Sequence, residues 1–222
     1  MTGADALRRS DGTGDGRPEK RPVLALTEVL GINVLYAGVN QALPWEEEDD
    51  HFRVSPRSWS RNLRSGFSFD NDPFIINQFG HPYQGGNYFS AGRSLGLGYW
   101  QSLPLATLGS VPWEWFGETE VPTWNDVVNT TLGGAVFGEV LHRLGWLVRG
   151  SPGGGPRSRL RAVAATVLDP VTGVNHLLAP GAASGTGRAR DLRPPSLSGE
   201  VHLGAQAGWA VRSSRAVETT PF

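Results

Sequence analysis

Apolar and polar positions alternate along this chain in long blocks rather than in a uniform pattern, and the blocks predict helices. Pro22 to Leu43 (PVLALTEVLGINVLYAGVNQAL) carries a single charge, Glu28, and opens with Pro at a helix-start position. It reads as an apolar helix, buried or interfacial. A transmembrane span is the alternative, because the length just suffices but Glu28, Asn33, Asn40 and two glycines are polar for a lipid-facing surface. The acidic run Trp45 to Asp50 ends it as a solvated loop. From His51 to Asn77, turn formers and aromatics predict loop or short strands.

Gly86 to Trp100 reads as helix, with Gly92 and Gly96 one turn apart. Ser94 to Trp113 is uncharged but contains Pro104 and Pro112, which predicts a broken helix or a helical hairpin rather than one clean span. Thr123, Asn125 and Asp126 are first-turn residues behind Pro122, so the next helix starts there and runs to about Leu147. Gly134 and Gly138 give it a face that allows close helix approach. The SPGGGP segment ends it. Arg157 to Leu168 is an amphipathic helix stopped by Asp169-Pro170, and partial alternation from Leu197 to Val211 predicts one or two strands.

The expected architecture is therefore mainly α: apolar helices and a helical hairpin packed around a polar loop cluster, with a short β-strand or hairpin tail near the C-terminus. Residues 1–21 and 179–198 hold few large apolar side chains, so they read as a disordered tail and a Gly/Pro/Arg-rich linker. They bracket a helical core at 22–178, and the β-prone tail occupies 199–222.

Composition narrows the function classes. In 222 residues there are 20 basic and 21 acidic side chains, giving a net charge of −1. No field gathers nucleic acid, so that partner is excluded. Of the basic residues only Lys20 is Lys, a skew that reflects genome composition more simply than binding. There is no Cys, which removes disulfides, thiolate metal sites and a Cys nucleophile. No signal peptide is readable at Met1. Either the chain is cytosolic, or the start lies upstream, or Val23 to Leu43 serves as an uncleaved anchor.

Candidate chemistry concentrates between Asp70 and Arg143. Asp70, Asp72, Asn77 and His81 resemble the opening of a hard-cation loop, but the sixth-position Gly and twelfth-position Glu are missing. Turn capping explains these Asp and Asn residues more simply. His81, which Pro82 biases toward an extended conformation, can serve as base or as a hydrogen-bonded structural residue. Glu114 and Glu118 share a face if WEWFGE is helical. Among Trp113, Trp115 and Phe116 one of these carboxyls should gain a raised pKa, unless both pair with Arg93 or Arg143. Glu139 with His142 has the Glu-x-x-His spacing of bundle metal sites, yet no second copy exists, and a pair with Arg143 is simpler. No phosphate loop, GxSxG elbow, HExxH or dinucleotide fingerprint occurs.

The motifs in order resemble one family. Trp59 to Asn62, Asp70 to Asp72, Asn77 to Gly85, Tyr88 to Arg93, Gly109 to Glu118, Pro122 to Asp126 and Gly134 to Arg143 follow the pattern of the bacterial domain of unknown function 3943, over Glu28 to Leu178. Thr123 stands where that family usually has Ser, and His176 where Arg is commoner. The resemblance implies an envelope protein, periplasmic or outer-membrane associated, often continued by a β-rich region resembling a barrel. It implies no reaction.

The expectation is thus an uncharacterised envelope or membrane-associated protein, structural or binding a lipid-like or small ligand through the central polar cluster. The alternatives are a lipid or cell-wall hydrolase or transferase, or an accessory structural subunit of a membrane complex. Catalysis would fall to His81, Glu114, Glu118 and Asp126. Ligand contacts would fall to Asp70, Asp72, Asn77, Tyr83, Arg93, Trp113, Asn125, Asn129, Glu139 and Arg143. No metal and no cofactor is assigned, and the expected partners are lipid or membrane and proteins of an envelope complex.

Overall fold

A computed structural model describes residues 20–43, 51–69, 72–150 and 155–178. The acidic run after Pro44, Asp70, the N-terminal tail to residue 19, the linker 179–198 and the β-prone tail 199–222 lie outside the described residues.

Pro22 starts α1 (Pro22–Ala42), as its N1 preference predicts. Next comes α2 (Pro56–Ser65), where loop or short strands were expected. Its sequence, PRSWSRNLRS, has little apolar periodicity. The helix instead rests on a capping box in which the Ser55 side chain accepts from Ser58 N–H and the Ser58 hydroxyl oxygen accepts from Ser55 N–H. It docks through Asn62 and Trp59, which donate to carbonyls at the end of α4.

α3 (His81–Ser94) is preceded without a break by a π turn, Ile76–Gly80. It therefore starts five residues before the expected Gly86. A Pro inside a helix removes one donor and crowds the carbonyl a turn earlier. The wider π turn accommodates Pro82, with His81 N–H bonding Ile76 O across it. His81 is consequently helical (φ −62°, ψ −45°) and not extended as its place before Pro suggested.

The hairpin is present, but its turn is not at a proline. α3 ends in a Schellman motif: Leu97 N–H bonds Gly92 O, Gly96 N–H bonds Arg93 O, and Gly96 takes φ +85°. α4 (Tyr99–Phe116) then runs through Pro104 and Pro112 as one helix. Each proline deprives one carbonyl of its partner without ending the helix, because the Ser102, Leu105, Ala106, Gly109 and Ser110 side stays buried.

Thr123 caps α5 (Trp124–Val128), which passes through a second π turn, Asn129–Gly133, into α6 (Gly134–Arg149). α7 (Pro156–Leu168) and α8 (Pro170–Leu178) follow, joined at Asp169. Among the described residues no strand forms, and Ser68 and Thr123 make one isolated parallel bridge.

α3 lies at the centre, against α1, α4, α6 and α8. Its contact with α6 is glycine on glycine: a Cβ on Gly134 would stand 2.6 Å from Gly85 Cα, and one on Gly138 would stand 2.9 Å from Gly86 Cα. The expected small-residue face of α6 is thus a backbone-to-backbone helix contact. Around it the interior is mostly small or polar. Ala25, Ala91, Ala106 and Ala135 are buried together with Asn62, Ser90, Ser102, Ser110, Glu114, Asp126, Thr130 and His142. Many large aliphatic side chains of α1, α6 and α7, among them Val34, Leu35, Val136 and Val167, are exposed, although Val29 of α1 is fully buried.

Candidate functional site

His81 opens α3 just past the first π turn, and Asp126 lies one turn into α5 just before the second. The crossing of α3 with the α5–α6 unit brings them together, so His81 Nε2 stands 3.0 Å from Asp126 Oδ1 and 3.8 Å from Asp72 Oδ2. His81 is 5% exposed and Asp126 2%. One ligand atom from each of Asp72, His81 and Asp126 lies within 4.8 Å of the others.

Thr123 organises the deep side of this cluster. Its hydroxyl donates a short hydrogen bond to Asp126 Oδ2, leaving Oδ1 toward His81. Its backbone N–H donates to Glu114 Oε2 at 2.9 Å. Sequence signals identified Thr123 as a helix cap and nothing more; its second task depends on α4 reaching the same point. On the outer side, Asn77 Oδ1 accepts from Asn129 at 2.8 Å and from Asn125 at 3.4 Å, and Asn125 also donates to Asp126 Oδ1 at 3.2 Å. The two π turns are thereby tied to each other beside the cluster.

Glu114 and Glu118 end up near this centre without sharing a helical face. α4 stops at Phe116, and Glu118 lies beyond it, accepting from Trp113 Nε1 at 2.6 Å. Burial pushes the Glu118 carboxyl up, against the lowering effect of that hydrogen bond. Neither carboxylate pairs with Arg93 or Arg143, because both arginines go to Glu139: Arg93 Nε at 2.8 Å and Arg143 Nε at 2.7 Å. Asn62 holds the turn by donating to the carbonyls of Glu114 and Glu118. Sequence reasoning gave Asn62 no role, although it stands in the Trp59 to Asn62 motif.

Other expected site residues lie elsewhere. Arg93, Glu139 and Arg143 form an ion-pair knot between α3 and α6. Tyr83 is exposed and packs edge-on against Phe137. Glu139 and His142 do not share a ligand position, since His142 turns to Asp169 instead.

That second polar centre joins α3, α6 and α8. His142 Nδ1–H donates to Asp169 Oδ2 at 2.8 Å, while Trp146 Nε1–H donates to His142 Nε2 at 3.2 Å. Trp can only donate, so this arrangement fixes the imidazole proton on Nδ1. Ser90 and the backbone N–H of Thr172 donate to Asp169 Oδ1 at 2.6 and 3.1 Å. Ser90 bonds the carboxylate and not the imidazole, so this is a structural capping centre and not a nucleophile relay.

Fold and site together define a glycine-packed helical bundle with a buried imidazole facing two carboxylates. The model of a domain of unknown function (DUF3943) matches residues 66–171, the segment that contains both π turns, the cluster and Asp169. The chain belongs to that family over this segment, as the motif order implied. No curated protein and no solved structure matches it.

Proposed function

We propose that the protein is a membrane-embedded protein of the bacterial envelope whose His81–carboxylate centre binds a small ligand. The observation that carries this is the inverted distribution of side chains. In water, burying Leu, Val and Phe stabilises a fold, and polar groups stay outside. Here a small apolar cluster with Val29, Tyr88, Leu95, Leu97 and Leu105 is buried, but Ser, Asn, His, Asp, Glu, Gly and Ala fill much of the rest of the interior while many large apolar side chains, among them Val34, Leu35, Val136 and Val167, point outward. Helices in lipid are packed this way, through small residues and interhelical hydrogen bonds.

Element lengths fit the proposal. The 21 residues of α1 extend about 31 Å against a hydrocarbon core of about 30 Å. Among the described helices α1 alone is long and apolar enough to cross by composition. α3, α4 and α5–α6 carry charges, but Arg93, Glu114, Asp126 and Glu139 turn inward onto partners. Outward apolar faces would meet lipid or protein partners in an envelope complex.

Fractionation tests the proposal. The chain should stay with membranes through a high-salt and alkaline wash and need detergent for release. Recovery in the soluble fraction would sink it.

A second reading, a hydrolase or transferase for lipid or cell-wall material, draws on the convergence of His81, Asp126, Glu114 and Glu118 around Thr123. It requires that the purified chain release acyl or glycosyl products from envelope lipid or wall material, and that Asp126→Asn abolish the release.

A further inference from the structure

We infer that Asp72, His81 and Asp126 form a binding site for one divalent transition-metal ion, of the Mn²⁺, Fe²⁺, Co²⁺ and Zn²⁺ class. This deepens the ligand-binding part of the proposed function and does not depend on membrane insertion.

Donor spacing is the first support. Ligand atoms about 2.1 Å from a metal stand about 3.0 Å apart at adjacent octahedral positions and about 3.4 Å apart in a tetrahedron. His81 Nε2 and Asp126 Oδ1 already stand 3.0 Å apart. Asp72 Oδ2 stands 3.8 Å from Nε2, on a side chain 30% exposed at the outer edge of the cluster.

Independent support comes from an unmet polar atom. His81 Nε2, on a side chain 6% exposed, stands 3.0 Å from Asp126 Oδ1 but outside good hydrogen-bond geometry. Buried polar atoms ordinarily have partners. A ring nitrogen 3.0 Å from one carboxylate oxygen and 3.8 Å from another is suited to a cation bound by all three.

Residues behind the ligands are in place for this. A ligating carboxylate is usually held by further hydrogen bonds, and Asp126 is held by Thr123 on Oδ2 and by Asn125 on Oδ1. Asn77, bonded to Asn125 and Asn129, fixes the outer wall. One imidazole with two carboxylates favours a borderline transition metal over Ca²⁺ or Mg²⁺, which take oxygen ligands alone. With three protein ligands, positions remain for water or for an oxygen-bearing group entering beside Asp72.

The test is Co²⁺ titration of the purified full chain after chelator treatment, in detergent if it needs it, read by d–d absorption and by bound metal per chain. One Co²⁺ per chain with a visible spectrum is expected, and equimolar Mg²⁺ or Ca²⁺ should not displace it. Asp72→Asn changes a partly exposed residue that α-helical circular dichroism should show to be structurally harmless. It should weaken uptake at least about tenfold, a loss typical even of residues behind the ligands. His81→Gln should abolish the spectrum. Absence of stoichiometric uptake, or uptake unchanged in both variants, overturns the site. A chain that binds Co²⁺ but fractionates as soluble overturns the membrane proposal alone, and a membrane-bound chain without uptake overturns this one alone.

Discussion

Asp169 shows how much can depend on one side chain that sequence patterns mark only as a helix stop. Its carboxylate accepts from His142, Ser90 and the Thr172 backbone, joining α3 and α6 to the start of α8. Burial alone would raise its pKa, but the hydrogen bonds from His142, Ser90 and Thr172 outweigh this and hold it below the usual carboxylate range. A depressed folded-state pKa contributes stability that is fully present above the unfolded value and lost as pH falls through the folded one. Asp169→Asn should therefore lower stability by about 1.5–3 kcal/mol near neutrality. The gap to the parent should be constant down to about pH 5 and close below about pH 4. Thermal unfolding across that range checks it, and a variant with the parent's full acid sensitivity would refute the assignment. At this scale, the sequence showed His81 and Asp126 as candidates because their types and neighbours are unusual. It could not show that they meet, nor that Thr123 joins both to Glu114, because those contacts depend on where two helices cross. The Asp-to-His spacing suggested a local cation loop, whereas the third member of the cluster comes from a separate helix.

Helices in this bundle approach as closely as their glycines permit, and that makes glycine substitutions diagnostic. A Cβ on Gly85 would overlap the carbonyl of Thr130 and stand 3.0 Å from Gly134 Cα, both backbone atoms that cannot swing away. Gly85→Ala and Gly134→Ala should each cost about 3 kcal/mol or more, the upper end for overpacking. In α1, a methyl added at Gly31 or Gly38 would have nothing within 4 Å. Alanine there should gain up to about 1 kcal/mol of helix propensity. Melting curves for the four variants should separate into these two groups; equal effects would mean that the α3–α6 crossing is looser than glycine-on-glycine contact requires. Helix starts at Pro22 and Thr123 and the small-residue face of α6 were legible because their signals are local. α2 was not, since a ten-residue polar helix fixed by a capping box and two docking side chains has no apolar period. Its Arg57, Arg61 and Arg64 line one open surface together with Ser60 and Ser65. If α2 lies at headgroup level, each arginine should add about 1 kcal/mol of attraction to anionic lipid, or about fivefold in affinity. Native mass spectrometry of the detergent-solubilised chain should show Arg→Gln changes reducing retention of anionic phospholipid but not of zwitterionic lipid. Equal loss of both classes would argue against that placement.

Whether the whole molecule faces water or lipid decides the sign of every surface substitution, so one exposed position can discriminate. Val136 lies near the middle of the α5–α6 unit and is 62% exposed, on the side away from the glycine contact. In water, Val136→Arg would change stability by no more than about 0.5 kcal/mol, as exposed substitutions usually do, and would raise solubility. In a bilayer, a charge at that depth should cost about 2.5–3.5 kcal/mol, while Val136→Ala should cost much less. Reconstituted in vesicles, the arginine variant should unfold earlier than the alanine variant or fail to insert. Equal behaviour of the two would place Val136 away from hydrocarbon. The contrast depends on the outward apolar side chains, whose organisation the sequence showed only in part: uncharged runs such as Ser94 to Trp113 pointed to apolar surroundings, but their content of Gly and Ser concealed which face was turned inward. Ser102, Gly109 and Ser110 share the inner face with Leu105 and Trp113, while Trp100 and Leu108 of the same run are directed outward. An arginine at Val136 would meet that outer medium without altering any helix contact, which is why its cost measures the surroundings of the bundle rather than its packing.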